Sequence, residues 1–492
     1  MEQRETPPGT RISEETPQTV RDVLRAGSVR QTVDLLVVLG LGVLLFRTFS
    51  AEAYVVPTGS MAPTLLGHHR ELACPNCDFV FVLGMEDEEN CGRPFCPNCG
   101  QTELDQVPQI DCSGDRVLVQ KFLYDFRRPR RWEVAVFQFP GEPRQAYVKR
   151  VVGLPGERVQ LRGGDVFIDG QRARKGLAEV RAMRILVHDS RYVPRDSSRF
   201  PRWIFLRGSP RRPLPSGWSQ TPEGFVHQAA EPLGNPAEDW ILYRHWDPVL
   251  GRYGAIRDHY AYNGGDLAAA QVVNDLALQA RVTVGDTVEK VCVLLQSGGD
   301  RFVVGIPVGG GAVELTHNGR RRLVDPMAAV PLPRPGSRPA ELVLEASFVD
   351  RRLMVAIDGR LVFEPCDIED SSSYPTADAM PVGLGVVGGS LRVGEFQVFR
   401  DVYYTSSLAG ITRRPHGVEE PYRLGADEYF VLGDNSPVSN DSRFWTESPV
   451  VPGSMFLGKP FLVHLPGQVV ALEVFGRSVY WVPDPRRIRY IH

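Results

Sequence analysis

The sequence predicts a mainly β protein carrying one N-terminal apolar helix, a small cysteine-rich lobe and a large inserted β-sandwich. Three observations carry that prediction. Short Val/Leu/Ile/Phe-rich stretches separated by Gly, Pro and Asp turns recur through most of the 492 residues, the signature of strands joined by tight turns. The uninterrupted apolar run Leu35 to Phe46 stands near the start. The tetrapeptide Cys-Pro-Asn-Cys occurs at Cys74–Cys77 and again at Cys96–Cys99.

From the N-terminus, Met1 to about Thr19 is rich in Pro, Thr, Glu and Arg and lacks the apolar content that a core requires. The apolar segment that follows is short for a membrane span, which takes about 20 residues. Asp34 and Arg47 flank it, and Phe49, Ala51, Ala53 and Tyr54 extend its apolar character. It reads as a retained anchor over 31–52 rather than a cleaved leader or a buried core helix. Arg21, Arg25 and Arg30 on its N-terminal side then place residues 1–30 in the cytoplasm and everything after the anchor on the outer face. A net charge of −3 offers no general electrostatic case for a nucleic-acid partner.

Two stretches after the anchor carry chemistry. Val55-Val56-Pro57-Thr58-Gly59-Ser60-Met61-Ala62-Pro63 places a serine in a Gly/Pro-rimmed turn, and Tyr147-Val148-Lys149-Arg150-Val151-Val152-Gly153 places a lysine in an apolar strand. A serine hydroxyl is a weak nucleophile until a neighbouring base takes its proton. A lysine serves as that base only when neutral, and a buried strand disfavours its ammonium form. Acyl transfer also needs donors for the developing oxyanion; the Ser60 amide and the Thr58 hydroxyl are the candidates. A Ser/His/Asp triad finds no support: His68 and His69 read as solvated residues or neighbours of the cysteine lobe, and no Gly-x-Ser-x-Gly elbow surrounds Ser60.

A third stretch, Gly433-Asp434-Asn435-Ser436-Pro437-Val438-Ser439-Asn440-Asp441-Ser442-Arg443, completes an ordered set that resembles the type I signal peptidases. The similarity spans about 31–72, 111–172 and 420–470. It implies a signal-peptidase-type β catalytic fold, Ser60 as nucleophile, Lys149 as general base, Ser439 orienting the Lys149 amine, and an Asp441–Arg443 ion pair bracing the site. It further implies that preprotein signal peptides are the substrates, that a lipid bilayer of the cell membrane holds the anchor, and that no cofactor enters the catalysis.

The four cysteines Cys74, Cys77, Cys96 and Cys99 have zinc-ribbon spacing. Two thiolate-bearing turns can converge on one tetrahedral ion, although disulfides are the alternative on an oxidising face. Cys91 and Cys112 fall outside this quartet, and the acidic run Glu86-Asp87-Glu88-Glu89 inside the lobe argues against phosphate binding. Between the lysine strand and Gly433 lies an all-β pattern that includes Phe302–Ile306, Glu341–Val349, Arg352–Gly359, Val382–Gly388 and Gly394–Phe399. It is similar to the concanavalin-like jelly rolls. Such sandwiches take glycans, and Trp240, Trp246 and Tyr253 are the aromatics available for stacking on sugar rings, with packing the commoner use of such residues. The expected division is an anchor at 31–52, a first catalytic part at 53–175 containing the zinc-ribbon insert 72–101, a sandwich at 176–404 and a second catalytic part at 405–492. The rival function is a surface glycan-binding or scaffolding protein on an inactive peptidase fold.

Overall fold

A computed structural model of the protein describes residues 31–42, 51–85, 93–104, 107, 109–196, 200–209, 212–228, 238–264, 270–324, 332, 341–369, 379–406, 414–467, 469–474 and 477–491. The expected tail at 1–30, the acidic run Glu86–Glu89 and Cys91 lie outside the described residues, as does the stretch 43–50 of the expected anchor. Residues 31–42 form an α-helix whose apolar side chains, Leu35 to Leu39 among them, are exposed. Among the described residues no helix is long and apolar enough to cross a membrane. The anchor expected over 31–52 also extends too far at its end, because Ala51 and Glu52 belong to a strand.

That strand, β1 (Ala51–Val55), opens a sheet with β2 (Arg116–Gln120), β3 (Val134–Phe139), β4 (Glu142–Gly153), β5 (Glu428–Leu432), β6 (Val451–Pro452) and β7 (Phe456–Leu465). Their order is β1-β2-β7-β3-β4-β5-β6, with every neighbouring pair antiparallel. β3 shows why the sequence folds this way. Successive side chains on a strand point to opposite faces, so Val134 and Val136 pack with Met61, Leu65 and Val117 on one side. Ala135 and Phe137 pack with Val151, Tyr429 and Val431 on the other. A strand buried on both faces reads as a continuous apolar run rather than an alternating one.

Two edges of this sheet stay open. Among the described residues β1 pairs with β2 alone, from Ala51 opposite Gln120 to Val55 opposite Arg116. β4 is paired along β3, but β5 covers only its Arg150–Gly153 end, which leaves Gln145 and Ala146 exposed.

The insert is a two-sheet β-sandwich of nine and eight strands. Its core again follows the two-residue period: Leu276, Leu278, Ala280, Val282 and Val284 of one sheet face Val291, Val293 and Leu295 of the other. Each fully buried Leu or Val of this kind contributes about 1.5–3 kcal/mol. The chain enters the insert through a helix at Leu177–Met183, whose first turn is capped by Gly176 N–H donating to Glu179 Oε2 at 3.1 Å. The entry and exit are tied together, since Lys175 Nζ lies 2.8 Å from Asp401 and 3.0 Å from Asp350, all three buried.

The cysteine lobe is built on a three-stranded sheet of His69–Ala73, Val80–Gly84 and Ile110–Cys112. It therefore reaches beyond the expected 72–101 at both ends. His69 is buried in that sheet, with Nδ1 2.7 Å from the Gly67 carbonyl, whereas His68 is exposed. Packing, the commoner use of such aromatics, is what Trp240 and Trp246 show: Trp240 is buried with Leu242 and Cys292, and Trp246 stacks on Phe200 with ring centroids 3.9 Å apart.

Candidate active site

Ser60 occupies a short 3-10 turn, Gly59–Met61, between β1 and the cysteine lobe. Lys149 sits on β4 opposite Ala135, at the point where that strand passes from exposed to buried. Both side chains are enclosed, Ser60 being 7% and Lys149 4% exposed. Lys149 Nζ lies 2.6 Å from Ser60 Oγ, within the reach that direct proton transfer requires. Thr58 Oγ1 donates to Ser60 Oγ at 3.3 Å, so the hydroxyl two residues before the serine faces the same reaction space.

Asp441 and Arg443 form an ion pair that is wholly buried. Arg443 Nε and Nη2 reach the two carboxylate oxygens of Asp441 at 2.8 and 2.7 Å. Asp441 Oδ2 also accepts from the Gly433 amide at 3.0 Å, and Arg443 Nη1 donates to the Thr405 carbonyl at 2.6 Å. The pair thus ties the strand end beside Ser60 to the chain returning from the insert.

Ser439 departs from expectation. It is fully buried, but its Oγ has no hydrogen-bond partner, so the bond to the Lys149 amine is not made. The hydroxyl instead lies against Gly433, where an added Cβ would come within 2.1 Å of Ser439 Oγ and 2.4 Å of the Ser60 carbonyl oxygen. A side chain at 433 would push the serine turn away. Orphaned buried hydroxyls are rare, and this one sits beside Ser60.

Several residues that position the site escaped the sequence reading. Arg150, next to the lysine, forms a bidentate pair with Asp434 at 2.7 and 2.6 Å and also donates to the Trp132 carbonyl at 2.6 Å. Burial alone would lower the Arg150 guanidinium; the charge and hydrogen bonds of Asp434 more than offset it and hold it raised. Thr64 donates to the same carboxylate. Asn435 binds the serine turn directly, through Nδ2 to the Gly59 carbonyl at 3.0 Å and through its amide to the Ser60 carbonyl at 3.1 Å. The available signal was an arginine inside an otherwise apolar strand, which demands a buried partner.

The four cysteines converge. Their sulfurs all lie within 4.8 Å of one another, with Cys74 and Cys99 3.5 Å apart and Cys77 and Cys96 3.7 Å apart. A tetrahedral zinc with bonds of about 2.3 Å separates its sulfurs by about 3.8 Å, so the set fits. Each turn also lends its asparagine to the other, Asn76 Nδ2 to Cys99 Sγ at 3.8 Å and Asn98 Nδ2 to Cys77 Sγ at 3.9 Å, the outer support expected of a metal site.

The signal peptidase, peptidase S26 family matches residues 110–201 and 395–465, which include Lys149, Ser439 and Asp441 but not Ser60. Similar curated proteins include a signal peptidase I of Leptolyngbya laminosa, 34% identical over 149 residues, covering 29% of this chain and 49% of that protein. Another is a signal peptidase I of Pseudomonas fluorescens, 31% identical over 137 residues, covering 27% of this chain and 36% of that protein. The chain thus spans half or less of the length of these two relatives. Among solved structures, a carbohydrate binding module from Bacillus subtilis covers 41% of this chain and 94% of its own, at 13% identity and a TM-score of 0.23, too low to support an argument about the insert.

Proposed function

We propose that the protein is a membrane-bound signal peptidase I, a serine endopeptidase that removes N-terminal signal peptides from exported preproteins. The observation that carries this reading is the buried 2.6 Å contact between Lys149 Nζ and Ser60 Oγ, with Lys149 inside the peptidase S26 match and Ser60 N-terminal to it. In the proposed reaction Ser60 Oγ attacks the scissile carbonyl while the neutral Lys149 amine takes its proton. The Thr58 hydroxyl and the Ser60 amide receive the oxyanion. Lys149 then returns the proton to the leaving amine, and it activates the water that hydrolyses the acyl-enzyme. Ser439 is assigned to orient the Lys149 amine during these transfers, while Asp441 and Arg443 hold the loop.

The substrate lies extended between the open edges of β1 and β4, adding main-chain hydrogen bonds to each. The exposed Gln145–Ala146 backbone and the unpaired side of Tyr54–Val55 support that placement. The apolar segment read as an anchor over 31–52, shortened at its end by β1, holds the chain in the cell membrane with the catalytic sheet on the outer face, where a preprotein's cleavage site emerges. A structural zinc on Cys74, Cys77, Cys96 and Cys99 holds the small lobe together and takes no part in the reaction, four thiolates leaving no open position.

The test is incubation of the detergent-solubilised protein with a preprotein carrying an Ala-x-Ala site, with product masses as readout. Cleavage after the second alanine, abolished in Ser60→Ala, supports the reading; processing that persists in Ser60→Ala overturns it.

A further inference from the structure

The insert does more than sit beside the catalytic sheet. Its 3-10 turn Ala261–Asn263 reaches the nucleophile turn. We infer that Asn263, with Tyr262, positions Ser60 by locking Asn435, so that the sandwich is an integral part of the catalytic site rather than an appended module. The inference rests on Ser60 being the nucleophile.

The two amides form a closed pair. Asn263 Nδ2 donates to Asn435 Oδ1 at 2.7 Å, and Asn435 Nδ2 donates to Asn263 Oδ1 at 2.8 Å. The second proton on Asn435 Nδ2 goes to the Gly59 carbonyl at 3.0 Å. An amide has one acceptor and two donors in fixed geometry, so the reciprocal pair and the Gly59 carbonyl together fix Asn435 with its Nδ2 side towards Gly59. Flipping Asn435 would bring its carbonyl against the Gly59 carbonyl and break both bonds of the pair. Asn263 therefore acts on Ser60 through a single intermediary, whose own amide already holds the Ser60 carbonyl at 3.1 Å.

Tyr262 supplies the steric half of the clasp. A Cβ at Gly59 would come within 2.2 Å of Tyr262 Cε1, and one at Gly84 within 2.3 Å of the same atom. The ring is lodged between the nucleophile turn and the cysteine lobe, and its hydroxyl donates to the His68 carbonyl at 3.3 Å. Glycine at 59 is thus required by a residue of the insert. The clasp opposes displacement of a serine that must meet both Lys149 and the scissile carbonyl, and a 1 Å misplacement costs on the order of 100-fold in rate.

The experiment compares the full-length detergent-solubilised protein with Asn263→Ala and Asn263→Asp. Hydrogen-exchange mass spectrometry follows a peptide covering residues 58–65, and preprotein cleavage gives kcat and KM. For Asn263→Ala the expected result is exchange at the serine turn faster by about tenfold and kcat lower by about tenfold or more, with KM within about twofold. Asn263→Asp keeps the acceptor for Asn435 Nδ2 but sets a carboxylate oxygen against Asn435 Oδ1, so its exchange and kcat change at least as far in the same direction, and it carries the test if the alanine variant fails to fold. Unchanged exchange at the turn overturns the clasp, and faster exchange with unchanged kcat overturns its positioning role. A wild-type protein that cleaves no preprotein refutes the peptidase reading, while the exchange comparison still decides the clasp.

Discussion

Replacing Asp434 with alanine leaves the Arg150 guanidinium charged in a place with no water to solvate it. The two side chains are 0% and 1% exposed and share two hydrogen bonds of 2.7 and 2.6 Å. The one remaining Arg150 bond to a main-chain acceptor, to the Trp132 carbonyl, cannot balance a full charge. Removing one partner of a buried pair costs about 3–5 kcal/mol, most of it the penalty of the charge left behind. Against a total stability of about 5–15 kcal/mol for a domain, that is a large share. At about 2–4 °C per kcal/mol for a domain of this size, melting falls by about 6–20 °C. The assay is thermal unfolding of the solubilised protein followed by tryptophan fluorescence, with cleavage measured below the transition. Cleavage falls as well, because Asp434 also fixes Thr64 and its neighbour Asn435 holds the serine turn. The double variant Arg150→Met, Asp434→Leu removes both charges, and an apolar replacement of a buried pair is commonly neutral or stabilising. It should recover much of the lost stability. A loss below about 1 kcal/mol in Asp434→Ala, or a double variant less stable than the single, would refute the reasoning.

Further outcomes follow from single groups. Ser439→Ala removes a buried hydroxyl that has no partner, so thermal stability should hold or rise by up to about 1 kcal/mol, while kcat falls if that hydroxyl serves Lys149; a clear loss of stability with unchanged kcat would contradict both points. Asp275 is half-buried beside Asp350 and Asp401, and desolvation first, then those two charges, push its carboxyl from 3.8 up to about 7. A folded-state value above the unfolded one means that the fold holds an extra proton between them. Stability is therefore highest below about pH 4 with respect to this group and is lost as pH rises towards 7. Asp275→Asn, which preserves the acceptor for the Asp350 amide, should be more stable than the wild type at about pH 8, with the gap closing near pH 4, as read by melting at each pH. Cys74→Ser should abolish bound zinc in elemental analysis and expose the lobe to proteolysis, whereas a metal-free wild type would remove zinc from the account.

What was legible in the sequence is what local pattern encodes. The Ser60 turn, the Lys149 strand and the Asp441–Arg443 pair each lie within a few residues of their own signal, and the sandwich strands follow a two-residue period that survives any connection. The Arg150–Asp434 pair joins residues 284 apart, and nothing in either neighbourhood names the other. The Asn263–Asn435 pair spans 172 positions and depends on how the insert docks, which composition does not report. Ala51 and Glu52 were assigned to the anchor because a short apolar stretch does not distinguish helix from strand; pairing with β2 decides it. The Ser439–Lys149 bond was inferred from motif order, and the orientation of one hydroxyl is a tertiary detail that motif order leaves open.

The central claim is that Ser60 and Lys149 act together as nucleophile and base. The most direct measurement is the mass of products formed from an Ala-x-Ala preprotein by the wild type and by Lys149→Ala, the variant first being shown to melt as the wild type does. The account predicts one cut directly after the second alanine with the wild type and none with the variant. Equal cleavage by a folded Lys149→Ala protein would contradict it.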